Sequence, residues 1–426
     1  MTTKHFVRLA LTLFVALSPV YVRASAPTGL DPAPFDHASA LVAAPPATFG
    51  AGAYMPVTEN VISWAPTAPV APETPETPDA VAVVRTVTNT NDSGMGSLRA
   101  ALIASADGDT IQFSGLAPNA VITLTTGELT VTKAITITGS AATNLAVDGN
   151  GASRVFLVSV PLTVISLTIR NGNVTGSGGG VYANSDLTLI DVHFRSNRAS
   201  GSAGGIYAFG AVSMQGGSAI SNTAGSSGGG AFISGTANVT RSVFISNTAN
   251  GNGGGLYINE SADVAASTFT NNSGAKGGGM MIGGSANVTS SMFTRNASSN
   301  HGGGAYFFAL ASVTNSTFTS NTASSTSGGG AFFNGAAHVS GSAFASNNAI
   351  DYGGGARFGV AANVTSSTFA SNTAEFGGGA AFAAAVNVTG STFSRNAATY
   401  GGGAQFASSA NVTGSTFASN TADAGG

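Results

Sequence analysis

One pattern of about 25 residues repeats along the C-terminal part of this sequence: a glycine run, a short apolar segment and the motif F-x-x-N. The asparagines of this motif recur every 24 to 26 residues, at Asn197, Asn222, Asn247, Asn272, Asn296, Asn321, Asn347, Asn372, Asn396 and Asn420. The motif phenylalanine is absent once, where Ala219 takes its place. So short and constant a period predicts a solenoid, because each repeat can bury its apolar face only by stacking on its neighbours.

The distribution of proline and glycine indicates that this solenoid is built from strands. Many prolines lie between Pro27 and Pro78, whereas none follows Pro161. A strand inside a sheet cannot lose a backbone N–H, so a long proline-free tract favours continuous pairing. Glycine runs in every repeat, and segments rich in Val, Phe, Thr and Ser, argue against helical repeats. We therefore predict an all-β fold, a parallel β-helix.

The residues after each glycine run divide into inward and outward columns. The first position is apolar in every repeat: Val181, Ile206, Ala231, Leu256, Met280, Ala305, Ala331, Ala356, Ala380 and Ala404. The third is apolar as well: Ala183, Ala208, Ile233, Ile258, Ile282, Phe307, Phe333, Phe358, Phe382 and Phe406. Both columns are expected in the core. The second position includes Arg357 and Gln405, which would be costly to bury without partners, so we expect that column to face outward.

We predict three strands in each coil. The second strand carries a valine column and the third carries the F-x-x-N phenylalanines. The asparagines would meet at one turn, where each side-chain amide donates to one neighbouring coil and accepts from the other. The phenylalanine stack is expected to dominate stability, at roughly 1.5–3 kcal/mol for each buried ring. Each bond of the asparagine ladder is expected to contribute about 1 kcal/mol.

The N-terminal part of the chain predicts export. A basic segment is followed by the apolar stretch Leu9 to Val20, which is too short to cross a bilayer comfortably. We predict a signal peptide over residues 1–26, cleaved after Ala24 or Ala26. Residues 27–82 are rich in Ala, Pro and Thr, and such a segment is expected to form a disordered linker that includes Trp64.

The repeats are preceded by a region that we predict to cap the solenoid. Residues 83–177 are expected to form this N-terminal cap and the first coils, and residues 178–426 the ten repeats. A short helix with Ser97 as its N-cap is predicted in the cap region. Its apolar stripe would consist of Leu98, Leu102 and Ile103. An end cap is needed because the last strands of an open stack expose unpaired backbone groups.

The two motifs of the repeat resemble those of a known family. Gly328 to Phe333 read G-G-G-A-F-F, and Phe344 to Asn347 read F-A-S-N. The chain resembles the chlamydial-type polymorphic outer-membrane protein repeat family, whose hallmarks are a G-G-A-I-like segment and F-x-x-N. The resemblance covers about Gly178 to Gly426 and implies a single-stranded right-handed parallel β-helix.

The same resemblance implies a surface-displayed passenger, often an adhesin, followed by a C-terminal β-barrel. This chain departs from the family in stopping at Gly425–Gly426, where the next coil would begin. We expect that it is a truncated sequence.

Charged residues make up only 8% of the chain, and the net charge is −3. They form no basic stripe of the kind that nucleic-acid binding needs. Asp186 with Asp191, and Glu260 with Asp263, are interpreted as solvated surface charges. They do not form the clustered carboxylates of a polysaccharide lyase or hydrolase. We therefore predict no catalytic residue, no metal site and no cofactor.

The best candidate for ligand binding is the aromatic part of the outward second column: Tyr182, Tyr207, Phe232, Tyr257, Tyr306 and Phe332. An exposed aromatic stripe can stack on sugar rings or contact a partner protein. The alternative is that these rings stack on one another to stabilise the rod, or that a neighbouring loop covers them.

Three functional interpretations follow. The first is a non-catalytic protein, secreted or on the outer membrane, used for adhesion or display. Its partners would be glycans or surface proteins of a partner cell, and it would associate with a membrane only through a missing anchor or barrel. The second is a carbohydrate-active, pectate-lyase-like enzyme with its site in the cap or in missing C-terminal sequence. The third is binding to ice or a crystal face, suggested by Thr240, Thr289, Thr314, Thr365, Thr389 and Thr413.

Overall fold

The computed structural model of this chain describes residues 81–424. The predicted signal peptide and nearly all of the predicted linker, with Trp64, lie outside the described residues. Residues 81–424 form a parallel β-solenoid with four sheets, in which each strand between the two ends of its sheet pairs with its equivalents in the coils before and after it. The predicted all-β, parallel β-helix fold is confirmed.

The largest sheet has 14 strands and is here named the valine sheet, because valine recurs at the third position of most of its strands. Its strands are Val84–Val87, Thr110–Phe113, Ile135–Thr138, Leu162–Ile165, Leu187–Ile190, Val212–Gln215, Ala237–Thr240, Ala262–Ala265, Ala286–Thr289, Ala311–Thr314, Ala337–Ser340, Ala362–Thr365, Val386–Thr389 and Ala410–Thr413.

The phenylalanine sheet has 13 strands and carries the F-x-x-N rings. Its strands are Val121–Thr123, Ala146–Asp148, Thr168–Arg170, His193–Arg195, Ser218–Ile220, Val243–Ile245, Thr268–Thr270, Met292–Thr294, Thr317–Thr319, Ala343–Ala345, Thr368–Ala370, Thr392–Ser394 and Thr416–Ala418.

The glycine-run sheet has 12 strands, most of which directly follow a glycine run. Its strands are Leu129–Val131, Phe156–Val158, Val181–Ala183, Ile206–Ala208, Ala231–Ile233, Leu256–Ile258, Met280–Ile282, Ala305–Phe307, Ala331–Phe333, Ala356–Phe358, Ala380–Phe382 and Ala404–Phe406.

The short sheet has 11 strands of two to four residues, each of which follows the corner where the ladder asparagine or its equivalent lies. Its strands are Asn173–Val174, Arg198–Ala199, Thr223–Ala224, Thr248–Ala249, Ser273–Gly274, Ala297–Ser298, Thr322–Ala323, Asn348–Ala349, Thr373–Phe376, Ala397–Tyr400 and Thr421–Ala424.

The short sheet corrects the prediction of three strands in each coil. Residues such as Ser246 and Ser346, which directly precede a ladder asparagine, have left-handed backbones with φ of 53°. The chain turns there, and the next two residues pair with the adjacent coils. Small side chains at the second of these positions, such as Ala249 and Ala323, are buried. The small residue two places after each asparagine was the sequence signal for this fourth strand.

The interior confirms the predicted inward columns. The first and third residues of the glycine-run strands are buried from Val181 to Phe382, as are the F-x-x-N rings from Phe194 to Phe393. From Phe244 to Phe417 these rings form one continuous stack, with centroids 4.6 to 4.8 Å apart. A ring spacing equal to the strand spacing lets in-register pairing and ring contact be satisfied together.

The glycine runs are required for two reasons, a left-handed backbone at one position and a lack of space for a side chain at the next. The first glycine of a run has a left-handed backbone, as at Gly228 with φ of 71°. The following glycines do not, but they have no room for a side chain. A Cβ on Gly279 would lie 2.5 Å from the carbonyl oxygen of Gly304 in the next coil. Backbone of adjacent coils therefore approaches at this corner more closely than any other residue allows.

One helix, Leu98–Ala104, lies against the first strands of the valine sheet and of the glycine-run sheet. The Ser97 hydroxyl accepts a hydrogen bond from the backbone N–H of Ala100, as an N-cap does. Leu98 and Leu102 are buried, but Ile103 is 81% exposed. The predicted apolar stripe was wrong at Ile103, because a residue next to Leu102 lies about 100° around the helix from it.

Candidate functional site

The aromatic column predicted to bind ligand lies on the outer face of the glycine-run sheet. Tyr182, Tyr207, Phe232 and Tyr257 stack in that order, with centroid separations of 5.2, 5.0 and 4.7 Å. Tyr306 and Phe332 form a separate stacked pair at 5.2 Å, because Met281 interrupts the column. The structure thus brings these six residues into one column as two stacks.

Side chains from neighbouring turns cover much of this column. Phe209 packs edge-on against Tyr207, and the Lys276 ammonium lies over the ring of Tyr306. Tyr306 is only 4% exposed, so its assignment to an exposed stripe was wrong. Burial raises the pKa of Tyr257 and of Tyr306. These covering contacts correspond to the alternative in which the rings stabilise the rod.

The ten ladder asparagines lie at an inner corner of the coil, where all but the last are buried. Each side-chain Nδ2 from Asn197 to Asn396 donates to Oδ1 of the next asparagine at 2.9 to 3.0 Å. Most also donate to the carbonyl of a motif phenylalanine in the preceding coil, as Asn272 does to Phe244. The hydrogen-bonding groups of these asparagines are engaged within the protein, which indicates a structural role.

A long groove follows the outer face of the valine sheet, and is here named the valine-sheet groove. It consists of three adjoining segments of about 240, 620 and 460 Å³, the first two sharing Asp186 and Thr188 and the last two sharing His338. One wall is the residue before each valine-sheet strand. The floor is the second residue of twelve successive strands: Thr136, Thr163, Thr188, Ser213, Asn238, Asp263, Asn287, Ser312, His338, Asn363, Asn387 and Asn411.

Every residue of this floor has a hydrogen-bonding side chain. Most of them are exposed, including Asn238, Asp263 and Asn287. Neighbouring floor residues order one another: Asn287 Nδ2 donates to Asp263 Oδ1 at 3.1 Å, and Asn387 Nδ2 donates to Asn363 Oδ1 at 2.9 Å. Each such contact leaves further amide and carboxylate positions open to solvent. The groove floor thus presents one hydrogen-bonding side chain in each coil.

Sequence reasoning identified the components of this groove but not the groove. Recurring N-V-T triplets, as at Asn238 and Asn287, mark one strand column, and a polar residue takes the place of this asparagine in other coils. The signal was present, because the second residue of each valine-sheet strand, from Thr136 onward, is Ser, Thr, Asn, Asp or His. What was missing was the concave wall that makes this column a groove. That wall is formed by the residue before each strand, and its position depends on how the turn before the strand stacks on the same turn of the neighbouring coils.

The acidic residues weighed as catalytic candidates are dispersed in the structure. Asp186 accepts a hydrogen bond from the backbone N–H of Ala211, and Asp191 lies in a left-handed turn. Glu260 lies in a turn, whereas Asp263 is on the floor of the groove. Within residues 81–424, no three His, Cys, Asp or Glu side chains are grouped closely enough to hold a metal ion.

The three histidines within residues 81–424 lie on three different faces of the rod. Burial lowers the pKa of His193, which contacts the Ser218 hydroxyl at 2.9 Å, and lowers that of His301, which packs against Phe332. His338 is in the valine-sheet groove, next to Asn363. No two of them share a site.

The threonines considered for ice binding share one column, the fourth residue of the valine-sheet strands. Strand register places Thr240, Ala265 and Thr289 in successive coils, and Thr314, Ser340 and Thr365 likewise. Ala265 and Ser340 therefore interrupt the threonine column.

Comparison with known proteins does not indicate a function, so a function can be argued only from the fold and the groove. No protein-family model matches this chain, and no curated protein matches it. Within the part of the chain that the structure describes, no helix has the length and apolar character needed to cross a membrane.

Proposed function

We propose that this chain is a non-catalytic β-helix protein, secreted or on the outer membrane, that binds an extended glycan along its valine-sheet groove and serves in adhesion or display. The observation that carries this proposal is the unbroken polar floor, from Thr136 to Asn411, along twelve coils. A ligand that uses it must be long and must lie parallel to the rod axis.

The groove supports a polymer because its hydrogen-bonding groups repeat with the strands, about 4.8 Å apart. A single rung offers one or two neutral hydrogen bonds, each worth about 0.5–1.5 kcal/mol net. Such a rung binds a monosaccharide weakly, whereas contacts over many rungs add up within one chain. Affinity is therefore expected to rise with glycan length until the ligand spans the groove.

A glycan array followed by calorimetry with oligomers of increasing length tests this proposal. The variant Asn238→Ala, Asp263→Ala, Asn287→Ala removes three adjacent floor side chains and should weaken binding of long oligomers. Its matched control is Thr270→Ala, Thr294→Ala, Thr319→Ala, which removes three outward side chains from the phenylalanine sheet. Equal losses in the two variants, or an affinity independent of oligomer length, would contradict the proposal.

The aromatic column remains a second candidate surface for the same function. Tyr182, Tyr207, Phe232 and Tyr257 are partly exposed, and partly exposed rings can still stack on sugars. The variant Tyr207→Ala, Phe232→Ala, Tyr257→Ala decides between the two surfaces. Unchanged binding to whole cells and glycan arrays would exclude the column.

The proposed export of the protein rests on its N-terminal segment. An exported chain should lose its first residues, so N-terminal sequencing of the protein from the culture medium or cell surface should begin after Ala24 or Ala26. Recovery of the intact N-terminus from the cell interior would contradict export.

The alternative function is a carbohydrate-active enzyme. The observation that favours it is the Asp148–Arg170 pair, with Nε and Oδ2 2.8 Å apart, on the outer face of the early coils. Incubation of the purified chain with uronate polymers, with detection of unsaturated or reducing ends, tests this function. Product that is lost in Asp148→Asn would favour the enzyme over the binding protein.

A further inference from the structure

The outer face of the phenylalanine sheet carries charge only at its N-terminal end. The last residue of successive strands is Asp148, Arg170 and Arg195, and the strand pairing places these three directly beside one another. In the coils that follow, the same position holds only uncharged residues: Ile220, Ile245, Thr270, Thr294, Thr319, Ala345, Ala370, Ser394 and Ala418. A feature that departs from the repeat at one place is a candidate for a specific role.

A concave notch lies at this charged end, about 710 Å³ in volume. It occurs where the short sheet begins with Asn173–Val174, because the preceding coil has no strand at that corner. The notch, here named the arginine notch, is lined by polar side chains that include Asp148, Asn150, Arg170, Asn171, Asn173 and Arg198.

Much of the hydrogen-bonding capacity of the notch is unused. Arg170 is held by Asp148, which also accepts from Asn171 Nδ2 at 2.9 Å and from the backbone N–H of Asn150 at 2.8 Å. Among the described residues, the guanidinium of Arg198 makes no hydrogen bond or ion pair, and neither does that of Arg195 beside Arg170. Of the three arginines here, only Arg170 has a carboxylate partner within residues 81–424, Asp148.

We infer that the arginine notch binds an acidic saccharide, with Arg198 of its lining holding a carboxylate or sulfate group. Arg195, which lies beside Arg170 and directly precedes the lining residue Ser196, adds a second positive charge at the rim. The planar guanidinium matches the two oxygens of such a group, and charge-assisted bonds of this kind are the strong ones. The side-chain amide of Asn150 and the amide oxygens of Asn171 and Asn173 lie around the notch and suit sugar hydroxyls. The inference goes beyond the proposed function, because the notch and the valine-sheet groove are on different sheets.

Asp148 organises the notch but does not take the ligand. Its two oxygens are occupied by Arg170, Asn171 and Asn150, so it holds Arg170 in place. Repulsion between adjacent arginines is also reduced when an anion lies between them. The bound acid group would supply the negative charge that this end of the sheet lacks.

Calorimetry with the purified full chain tests the inference. The probes are polygalacturonate, dextran sulfate and neutral dextran, which separate a carboxylate from a sulfate and both from an uncharged chain. The variant Arg195→Gln, Arg198→Gln should bind the preferred acidic polymer at least about tenfold more weakly, as expected for the loss of hydrogen bonds to charged groups. Arg170 is left in place because its removal would unpair Asp148.

The matched control is Arg295→Gln, Arg395→Gln. These two exposed arginines lie on later coils, and their replacement makes the same change in net charge. Retained binding in the control and loss in the notch variant, with equal thermal stability, would support the site and show which acid group it prefers. Equal losses in both variants, or no preference for either acidic polymer over neutral dextran, would overturn it.

The failure of this inference is distinguishable from that of the proposed function. If the notch alone is wrong, the groove variant still weakens binding of long neutral oligomers. If the groove alone is wrong, the notch variant still weakens binding of the acidic polymer.

Discussion

Asn247 and Asn272 are joined by two hydrogen bonds to a single oxygen. Oδ1 of Asn272 accepts from Nδ2 of Asn247 at 2.9 Å and from the backbone N–H of Asn247 at 3.0 Å. The Nδ2 of Asn272 meanwhile donates to the Phe244 carbonyl and to Oδ1 of Asn296. Each side-chain amide from Asn222 to Asn396 thus uses its full capacity, two bonds donated and two accepted. The ladder also satisfies backbone groups at a corner that strand pairing does not reach.

Asn272→Ala is expected to destabilise the protein by roughly 2–5 kcal/mol, because it leaves the buried backbone N–H of Asn247 without a partner and removes three further buried hydrogen bonds. Asn272→Asp should cost at least as much, since it buries a carboxylate against the Phe244 carbonyl. Thermal unfolding followed by circular dichroism measures both. Asn387→Ala, in the exposed groove, is the control and should change little. Equal effects at the two positions would show that the ladder adds nothing beyond surface asparagines.

The missing phenylalanine of the motif is compensated within its own coil. Ala219 is fully buried, and the same coil has Met214 where most other coils have valine in the valine sheet. Ala219→Phe alone should overfill the core and cost about 1–3 kcal/mol. Adding Met214→Val should recover most of that loss. A double-mutant cycle on unfolding free energies measures the coupling; additive effects would mean that the two positions do not share volume.

The N-terminal cap is expected to weaken in acid because of one aspartate. Backbone N–H groups of Ala106 and Val83 and the guanidinium of Arg85 lower the pKa of Asp109 from 3.8 to about 2. Its contribution to stability is fully present above about pH 4 and is lost as the pH falls through 2. Pepsin cleavage in the cap should therefore increase between these two values.

Asp109→Asn tests this acid sensitivity. The variant should already be cleaved faster at pH 4 and should change less on further acidification. Asp423→Asn, an exposed aspartate in the last coil, provides the control. If pepsin cleavage of Asp109→Asn depends on pH in the same way as cleavage of the unaltered protein, the acid sensitivity of the cap does not come from Asp109.

Arg357 is an outward residue that the fold partly buries. Its guanidinium lies 4.7 Å from the ring centroid of Tyr352, and its Nη1 is buried without a hydrogen-bond partner among the described residues. Burial lowers the pKa of Arg357. Arg357→Met keeps the packing volume and removes the buried charge, so stability should stay within about 1 kcal/mol or rise. The exposed Arg241→Met is its control in thermal unfolding; a clear loss at Arg357 alone would indicate a stabilising cation–π contact.

Residues that recur at the same position of successive coils were predictable, because the same type of side chain returns there with the period of the repeat. Val181, Phe244 and Asn272 could each be assigned to an inner column from spacing and residue type, and all three are buried. Ile103 and Tyr306 could not be assigned correctly. The exposure of Ile103 depends on its angular position on the helix. That of Tyr306 depends on Lys276, a lysine from the preceding turn that lies over its ring.

The candidate site was predictable only in part. Asp263 was seen as half of a surface pair with Glu260, but it lies in line with Asn238 and Asn287 on the groove floor. Arg170 and Arg195 are 25 residues apart in sequence and adjacent in space. Such neighbours become visible only when the register is known, because a shift of one residue would turn every side chain to the other face.

By itself, the sequence determined that this protein is a β-solenoid, since short apolar repeats with glycine corners and no proline can bury their core in no other way. It also determined which columns face inward. Tertiary structure decided the fourth sheet, the covering of the aromatic column, the long groove and the arginine notch. These depend on how turns of unequal length stack from coil to coil, and that stacking is set by contacts between repeats rather than by any one of them.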